Sequence, residues 1–250
     1  MKKRYVNRTI KILSIGNSYS QDAQRYLYGI ARADMVDLKT VNLYIGGCSL
    51  ERHFRNMHSE EKAYNFEING ICNTCVKISL KEALLSDDWN FITIQQQSLK
   101  SCDIESFEPY LTELYKYIRR YSPKSVIYLM RTWGYRPDSE KMKNAGYNSN
   151  REMLEAVTRT YDEAAKHIGV AGIIPLGDAV ALAVESGAEN IFRDEIHMSM
   201  GFGRYLLGLV FFGTVTGIPI ANNDFCDFDV PVSESDMKIA KEIAQKVVYK

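Results

Sequence analysis

A hydroxyl nucleophile needs a base within hydrogen-bond reach, a group that orients the base, and donors for the charge that develops on the attacked carbonyl. Gly16-Asn17-Ser18-Tyr19-Ser20 follows the apolar run Ile10–Ile15 and precedes a segment with helical spacing. A serine at such a strand-to-helix turn lies at the positive end of the helix dipole, with free backbone N–H groups beside its hydroxyl. Ser18 has that place. Far along the chain, Arg193-Asp194-Glu195-Ile196-His197-Met198-Ser199 supplies a base and an orienter. Asp194 and His197 are three apart, so in a turn the carboxylate can fold onto one imidazole nitrogen and leave the other facing the serine. Taken singly, Ser18 or Ser20 is a helix cap, His197 a hydrogen-bonded structural group and Asp194 a loop or cap residue. Only their combination points to acyl transfer.

Other clusters carry less. Cys72-Asn73-Thr74-Cys75 has a metal-like or redox-like spacing, but no second pair lies at zinc-site distance and no thioredoxin-type strand precedes it. His53 and His58 are five apart and do not share a helical face, so no zinc site is expected from them. Gly46-Gly47 and Gly201-x-Gly203 lack the GxGxxG pattern, and no dinucleotide is expected; neither metal nor cofactor is anticipated. Trp133 and Tyr135 have rings that either stack on a sugar or cover the core.

These residues need a scaffold. Runs rich in β-branched residues at Ile10–Ile15, Val41–Ile45, Phe91–Gln95, Ser125–Met130 and Gly172–Pro175 alternate with helical segments. Ala23, Tyr26, Leu27, Ile30 and Ala31 mark one helical face, and further helices fit Glu105–Tyr121, Ser149–Ile168 and Ser235–Tyr249. Five strands alternating with helices predict an α/β fold with a five-stranded parallel sheet covered on both faces. Ligands bind such sheets beyond the carboxyl ends of the strands, where strand order reverses. The segments after the first four runs, ending with Arg131-Thr132-Trp133-Gly134-Tyr135, are small and polar. Arg131–Asn148 is long for a strand-to-helix connection and is expected to shape the pocket.

The 250 residues are 46% hydrophobic and 25% charged, the balance of a globular chain with a substantial core, and one domain over 1–250 suffices. The 31 basic and 31 acidic side chains cancel, leaving no overall field for a nucleic acid or an anionic membrane surface. Gly201–Ile218 is broken by Arg204, Thr214, Thr216 and glycines and reads as a buried helix, not a membrane span. The start, Met1–Arg8, is charged but leads into a run too short and polar for a signal peptide. Five cysteines leave at least one unpaired, and a reducing, cytoplasmic compartment is expected.

Ile15-Gly16-Asn17-Ser18-Tyr19-Ser20-Gln21-Asp22 together with Asp194-Glu195-Ile196-His197 resembles the first and last sequence blocks of the SGNH (GDSL-like) hydrolases. Leu43–Leu50, Gln95-Gln96-Gln97-Ser98 and Thr132-Trp133-Gly134-Tyr135 are similar, more narrowly, to an uncharacterised SGNH-related family common in gut bacteria. The resemblance implies a three-layer α/β/α, flavodoxin-like fold with Ser18 as nucleophile, His197 as general base and Asp194 as its orienter. It also implies an oxyanion hole from the N–H groups of Ser18 and Gly47 and one side-chain amide. The superfamily's asparagine is replaced here by a run of glutamines, of which Gln96 is the expected donor, with Gln97 and Gln95 as alternatives.

The expected function is removal of a short acyl group, such as acetyl, from a carbohydrate or similar polar small molecule, with Trp133 and Tyr135 binding the sugar. A lipid or thioester acylhydrolase on the same triad and a carbohydrate-binding protein without turnover are the alternatives. A flavin or nucleotide binder would need a more open first loop than one with a single glycine and Tyr19.

Overall fold

The computed structural model describes residues 8–72 and 75–249. Its strands are β1 (Ile10–Gly16), β2 (Leu38–Tyr44), β3 (Tyr64–Ile68), β4 (Lys77–Ile78), β5 (Phe91–Ile94), β6 (Val126–Met130) and β7 (Gly172–Ile174). They form one sheet in the order β4-β3-β2-β1-β5-β6-β7. The five expected runs are the parallel strands; β3 and β4 extend the sheet antiparallel beyond β2, so it has seven strands and not five. β3 alternates Tyr64, Phe66 and Ile68 with Asn65 and Glu67, and its polar residues are buried. Most of Met1–Arg8 lies outside the described residues.

Side chains alternate across each strand. Ile10 and Ile12 of β1 pack under α1 (Ser18–Gln24), α2 (Leu27–Ala33), α8 (Leu176–Glu185), α9 (Phe202–Thr216) and α10 (Glu234–Val248). Leu13 and Ile15 face α3 (Leu50–Ser59), α4 (Leu80–Leu85), α5 (Tyr110–Tyr121) and α7 (Asn150–Ile168). The result is helix, sheet, helix. The segment marked by Ala23, Tyr26 and Ile30 is two short helices, divided at Arg25 and Tyr26. α5 starts at Tyr110, after Pro109, with a 3-10 turn at Ile104–Ser106 where helix was expected.

α9 buries 14 of its 15 residues, all but Thr214, because α2, α8 and α10 cover it on the sides that the sheet does not. No helix among the described residues is long and apolar enough to cross a membrane. Strand order reverses at β1, since β2 lies on one side of it and β5 on the other. The crevice beyond the carboxyl ends of β1, β2 and β5 therefore receives Ser18, Gly46-Gly47 and Gln95–Ser98.

Candidate active site

α1 begins where β1 ends, and Asn17 fixes the junction. Its Oδ1 accepts from the Tyr19 N–H at 3.0 Å, capping the helix, and from Gln95 Nε2 at 2.7 Å. Its Nδ2 donates to the Cys48 carbonyl at 3.0 Å. One side chain thus ties together the loops after β1, β2 and β5.

Ser18, in the first turn, lies 2.9 Å from His197 through Oγ and Nε2. On the imidazole's far side, Nδ1 is 2.8 Å from Asp194 Oδ2. With Nδ1 protonated toward the carboxylate, Nε2 is free to accept the serine proton. The other Asp194 oxygen, Oδ1, accepts the N–H groups of Ile196 and His197, both at 2.8 Å. Partial burial pushes the Asp194 carboxyl up, but these N–H groups and the imidazole outweigh it and bring it down to about 2.

The segment bearing Asp194 and His197 is a tight turn in which Arg193 N–H donates to the His197 carbonyl at 3.0 Å and Phe192 bridges Met198. Gly203, at the start of α9, lets this turn approach: a Cβ there would stand 2.3 Å from the Ile191 carbonyl oxygen and 2.9 Å from Met198 Cβ.

Gly47 lies at the top of β2 in the left-handed region, φ +59°, in a turn closed by Cys48 N–H to the Ile45 carbonyl at 3.2 Å. A side chain there would meet nothing within 4 Å, so glycine answers to the backbone conformation and not to space. Neither the Ser18 nor the Gly47 N–H has an acceptor among the described residues.

Gln96, the expected oxyanion amide, is fully buried and occupied. Its Oε1 accepts from the N–H groups of Leu50 (2.9 Å) and Gln97 (2.8 Å), and its Nε2 donates to the Ser106 carbonyl (2.9 Å) and hydroxyl (3.1 Å). It splices the loop after β5 to the start of α3 and has no donor left for a ligand. Gln95 is buried beneath the junction, with Nε2 donating to Asn17, and has no exposure toward a ligand. Gln97 remains, half-buried, with Nε2 donating one bond to Ser98 Oγ at 3.1 Å and its second hydrogen uncommitted.

Trp133 and Tyr135 also differ from expectation: they are 1% and 2% exposed and offer no face to a sugar. Trp133 stacks on Tyr19 at 4.0 Å between centroids, and its Nε1 donates to the Ile196 carbonyl at 2.8 Å, supporting the histidine turn from behind. The Tyr135 hydroxyl donates to Ser98 Oγ at 2.8 Å, beneath Gln97. The long Arg131–Asn148 connection, which contains α6 (Glu140–Asn144), grips the same turn. Arg136 N–H donates to the Glu195 carbonyl at 2.9 Å, and Lys141 Nζ pairs with the Glu195 carboxylate at 3.2 Å.

His53 and His58 stay apart, His53 buried and His58 exposed. His53 Nδ1 lies 2.9 Å from the Tyr64 hydroxyl and 3.6 Å from Cys48 Sγ. Burial drives its imidazole down to about 3 and the Cys48 thiol up to about 12, so both are neutral and inert near pH 7. Cys72 and Cys75 are exposed, and residues 73 and 74 between them lie outside the described residues.

A family described as "Domain of unknown function (DUF4886)" matches residues 11–247. Among solved structures, a DUF4886 family protein from Bacteroides uniformis has 29% identity and a TM-score of 0.89, covering 96% of this chain and 95% of its own. A proposed SGNH hydrolase from Slackia heliotrinireducens has 19% identity and a TM-score of 0.59, over 83% of this chain and 100% of its own. A family 3 carbohydrate esterase from Talaromyces cellulolyticus has 9% identity and a TM-score of 0.55, over 83% and 97%. The last two likenesses establish the SGNH-type fold. No curated protein matches the chain.

Proposed function

The chain belongs to the DUF4886 family, and we propose that it is a serine esterase that removes a short acyl group from a polar molecule, a carbohydrate ester among the candidates. The observation that carries this reading is the relay from Ser18 Oγ through His197 to Asp194, at 2.9 and 2.8 Å. In the proposed reaction Ser18 Oγ attacks the ester carbonyl while His197 Nε2 takes its proton, and the oxyanion forms beside the N–H groups of Ser18 and Gly47 and the amide of Gln97. The histidine returns that proton to the departing alcohol, leaving the acyl group on Ser18. Water attacks the acyl-enzyme, gives its proton to Nε2, and frees the acid and the serine.

A polar substrate is favoured by the rim, where half-buried Gln97 and exposed Gly46-Gly47 lie while the large rings of Trp133 and Tyr135 are turned inward. The likeness to a carbohydrate esterase points the same way. The test is reaction with a fluorophosphonate, followed by turnover of aryl esters from acetyl upward and of acetylated sugars. A single adduct on Ser18, abolished in Ser18→Ala and His197→Ala, with turnover falling as the acyl chain lengthens, is expected. An unlabelled protein would remove the hydrolase reading in favour of binding without turnover; rising activity with chain length would replace the polar substrate by a lipid.

A further inference from the structure

Asp22 lies one helical turn after Ser18 on α1, so the two share a face of the helix. Its carboxylate is 0% exposed. Oδ1 accepts from Arg193 Nη1 and from Arg204 Nε, both at 2.8 Å, and Oδ2 from Arg193 Nη1 at 3.0 Å and from the Met198 N–H at 3.1 Å. Arg193 and Met198 are the residues immediately outside Asp194 and His197. Arg193 also donates to the Met198 carbonyl, closing the turn on itself. Arg204, from the first turn of α9, reaches onward to Asp229 at 3.4 Å, which in turn pairs with Arg25.

A carboxylate taken wholly out of water among arginines is a poor way to gain stability, since apolar side chains of similar volume generally do as well or better. What the arrangement does supply is position. The other tethers of the histidine turn, Trp133 and Arg136, come from the connection after β6. On the helix that carries the serine, Tyr19 meets the His197 ring edge-on, and Asp22 is the residue whose side chain bonds both flanks of the turn, at Arg193 and Met198, so it ties the separation of Ser18 from His197 to α1.

We propose that Asp22 is a positioning residue for the hydrolytic reaction, holding the Arg193–Met198 turn in register with Ser18 through the two arginines and the Met198 N–H. The proposal rests on the assignment of Ser18 as nucleophile. A displacement of about 1 Å between reacting groups can cost on the order of 10²-fold in rate, so loosening this clamp acts on the chemical step and not on substrate affinity.

The experiment compares wild type, Asp22→Asn, Arg193→Ala and Arg193→Lys by steady-state kinetics on an aryl acetate, by fluorophosphonate labelling rate, and by amide hydrogen exchange. Asp22→Asn should lower kcat roughly 10–10²-fold with KM within about two-fold, and should speed exchange at His197 and Met198 while the amides of β1 and β5 keep their protection. Arg193 has a side chain 28% exposed, so its replacement is the milder cut and decides the matter if Asp22→Asn fails to fold. Arg193→Ala should show the same pattern to a smaller degree, and Arg193→Lys, which keeps the charge, should recover most of the loss. Wild-type kcat in Arg193→Ala or in folded Asp22→Asn overturns the proposal, as does a loss of rate accompanied by faster exchange throughout the sheet. If wild type itself is not labelled, the esterase assignment fails and takes the proposal with it; labelling of wild type and Asp22→Asn at equal rates overturns the proposal alone.

Discussion

Gln96 and Gln97 are neighbours with opposite duties, and the alternation of a strand separates them. Ile92 and Ile94 of β5 face the layer of α3 and α5, and Gln96 continues their parity, ending among Leu50, Ser106 and Tyr161. Gln97 falls on the other side, at the rim. We therefore expect Gln97→Ala to lower kcat by about 10²–10³ with stability changed by less than about 0.5 kcal/mol. Gln96→Ala, which strands two buried N–H groups, should instead destabilise by about 2–4 kcal/mol, read as a lower urea midpoint. Full kcat in Gln97→Ala would leave the oxyanion to backbone donors. The two parts of the Ser18, His197 and Asp194 arrangement were legible because each is local, a strand-to-helix turn for the serine and a three-residue spacing for the pair, whereas their meeting across 179 residues was implied by the family resemblance. That Gln96 turns into the core was legible in principle from the same period-two rule that located β5, but that rule leaves Gln95 and Gln97 on one side and does not choose between them. Trp133 and Tyr135 were not, because a sequence shows that a ring is large and does not show which side of a long loop it packs against. Their burial makes them supports, and Trp133→Phe, which keeps a stacked ring but loses the N–H to Ile196, should reduce kcat with little change in KM. A KM effect confined to sugar esters would restore the platform role instead.

At the scale of elements, the missed strand matters to the serine. β3 carries Glu67, buried on the face beneath α1, where its two oxygens accept from Gln21 Nε2 at 2.6 Å and Asn42 Nδ2 at 2.8 Å. Asn42 in turn accepts from Ser20 Oγ at 2.7 Å. The helix bearing Ser18 is thus seated on polar groups of β2 and β3, while its neighbour α2 is seated on apolar ones. Tyr64, Phe66 and Ile68 alternate with Asn65 and Glu67 as a strand should, and the polar residues form a hydrogen-bonded seam; five residues make a short signal, and β4, with two, is too short to leave a pattern. Gly47 shows how much a turn can demand. Gly47→Ala places a Cβ in the left-handed region, for about 1–2 kcal/mol of local strain. Because nothing crowds the site, that strain should be relieved by a shift of the turn and its N–H, and kcat should fall more than the melting temperature does. Equal kcat in Gly47→Ala and wild type would mean that this N–H does not face the oxyanion.

Two of the carboxylates held below their ordinary range, at opposite edges of the sheet, contribute to the response of the whole molecule to acid. Beyond the carboxyl ends of the strands is Asp194, brought down to about 2. Beyond their amino ends is Asp87, between Lys39 at 2.8 Å and Lys11, which joins β1 to β2; burial pushes it up, but the two ammonium groups outweigh that and bring it to about 2 from an ordinary 3.8. Both are depressed in the folded state, so the unfolded chain binds more protons in this range. The stability they contribute is complete above about pH 5 and is lost progressively as the pH falls through 3.8 toward 2. The melting temperature should drop across that window, and Asp87→Asn should flatten part of the drop; a profile unaltered by Asp87→Asn would refute the assignment.

The distance along the chain between Ser18 and His197 is 179 residues. At about 5–20 residues per second the ribosome delivers the histidine roughly 9–36 s after the serine. α9, whose Arg204 completes the clamp on Asp22, follows it out. In the proposed reaction the growing polypeptide would, through that interval, hold a hydroxyl with no imidazole to activate it, and translation itself would keep the serine dormant until the carboxyl-terminal part of the chain has come to rest against α1.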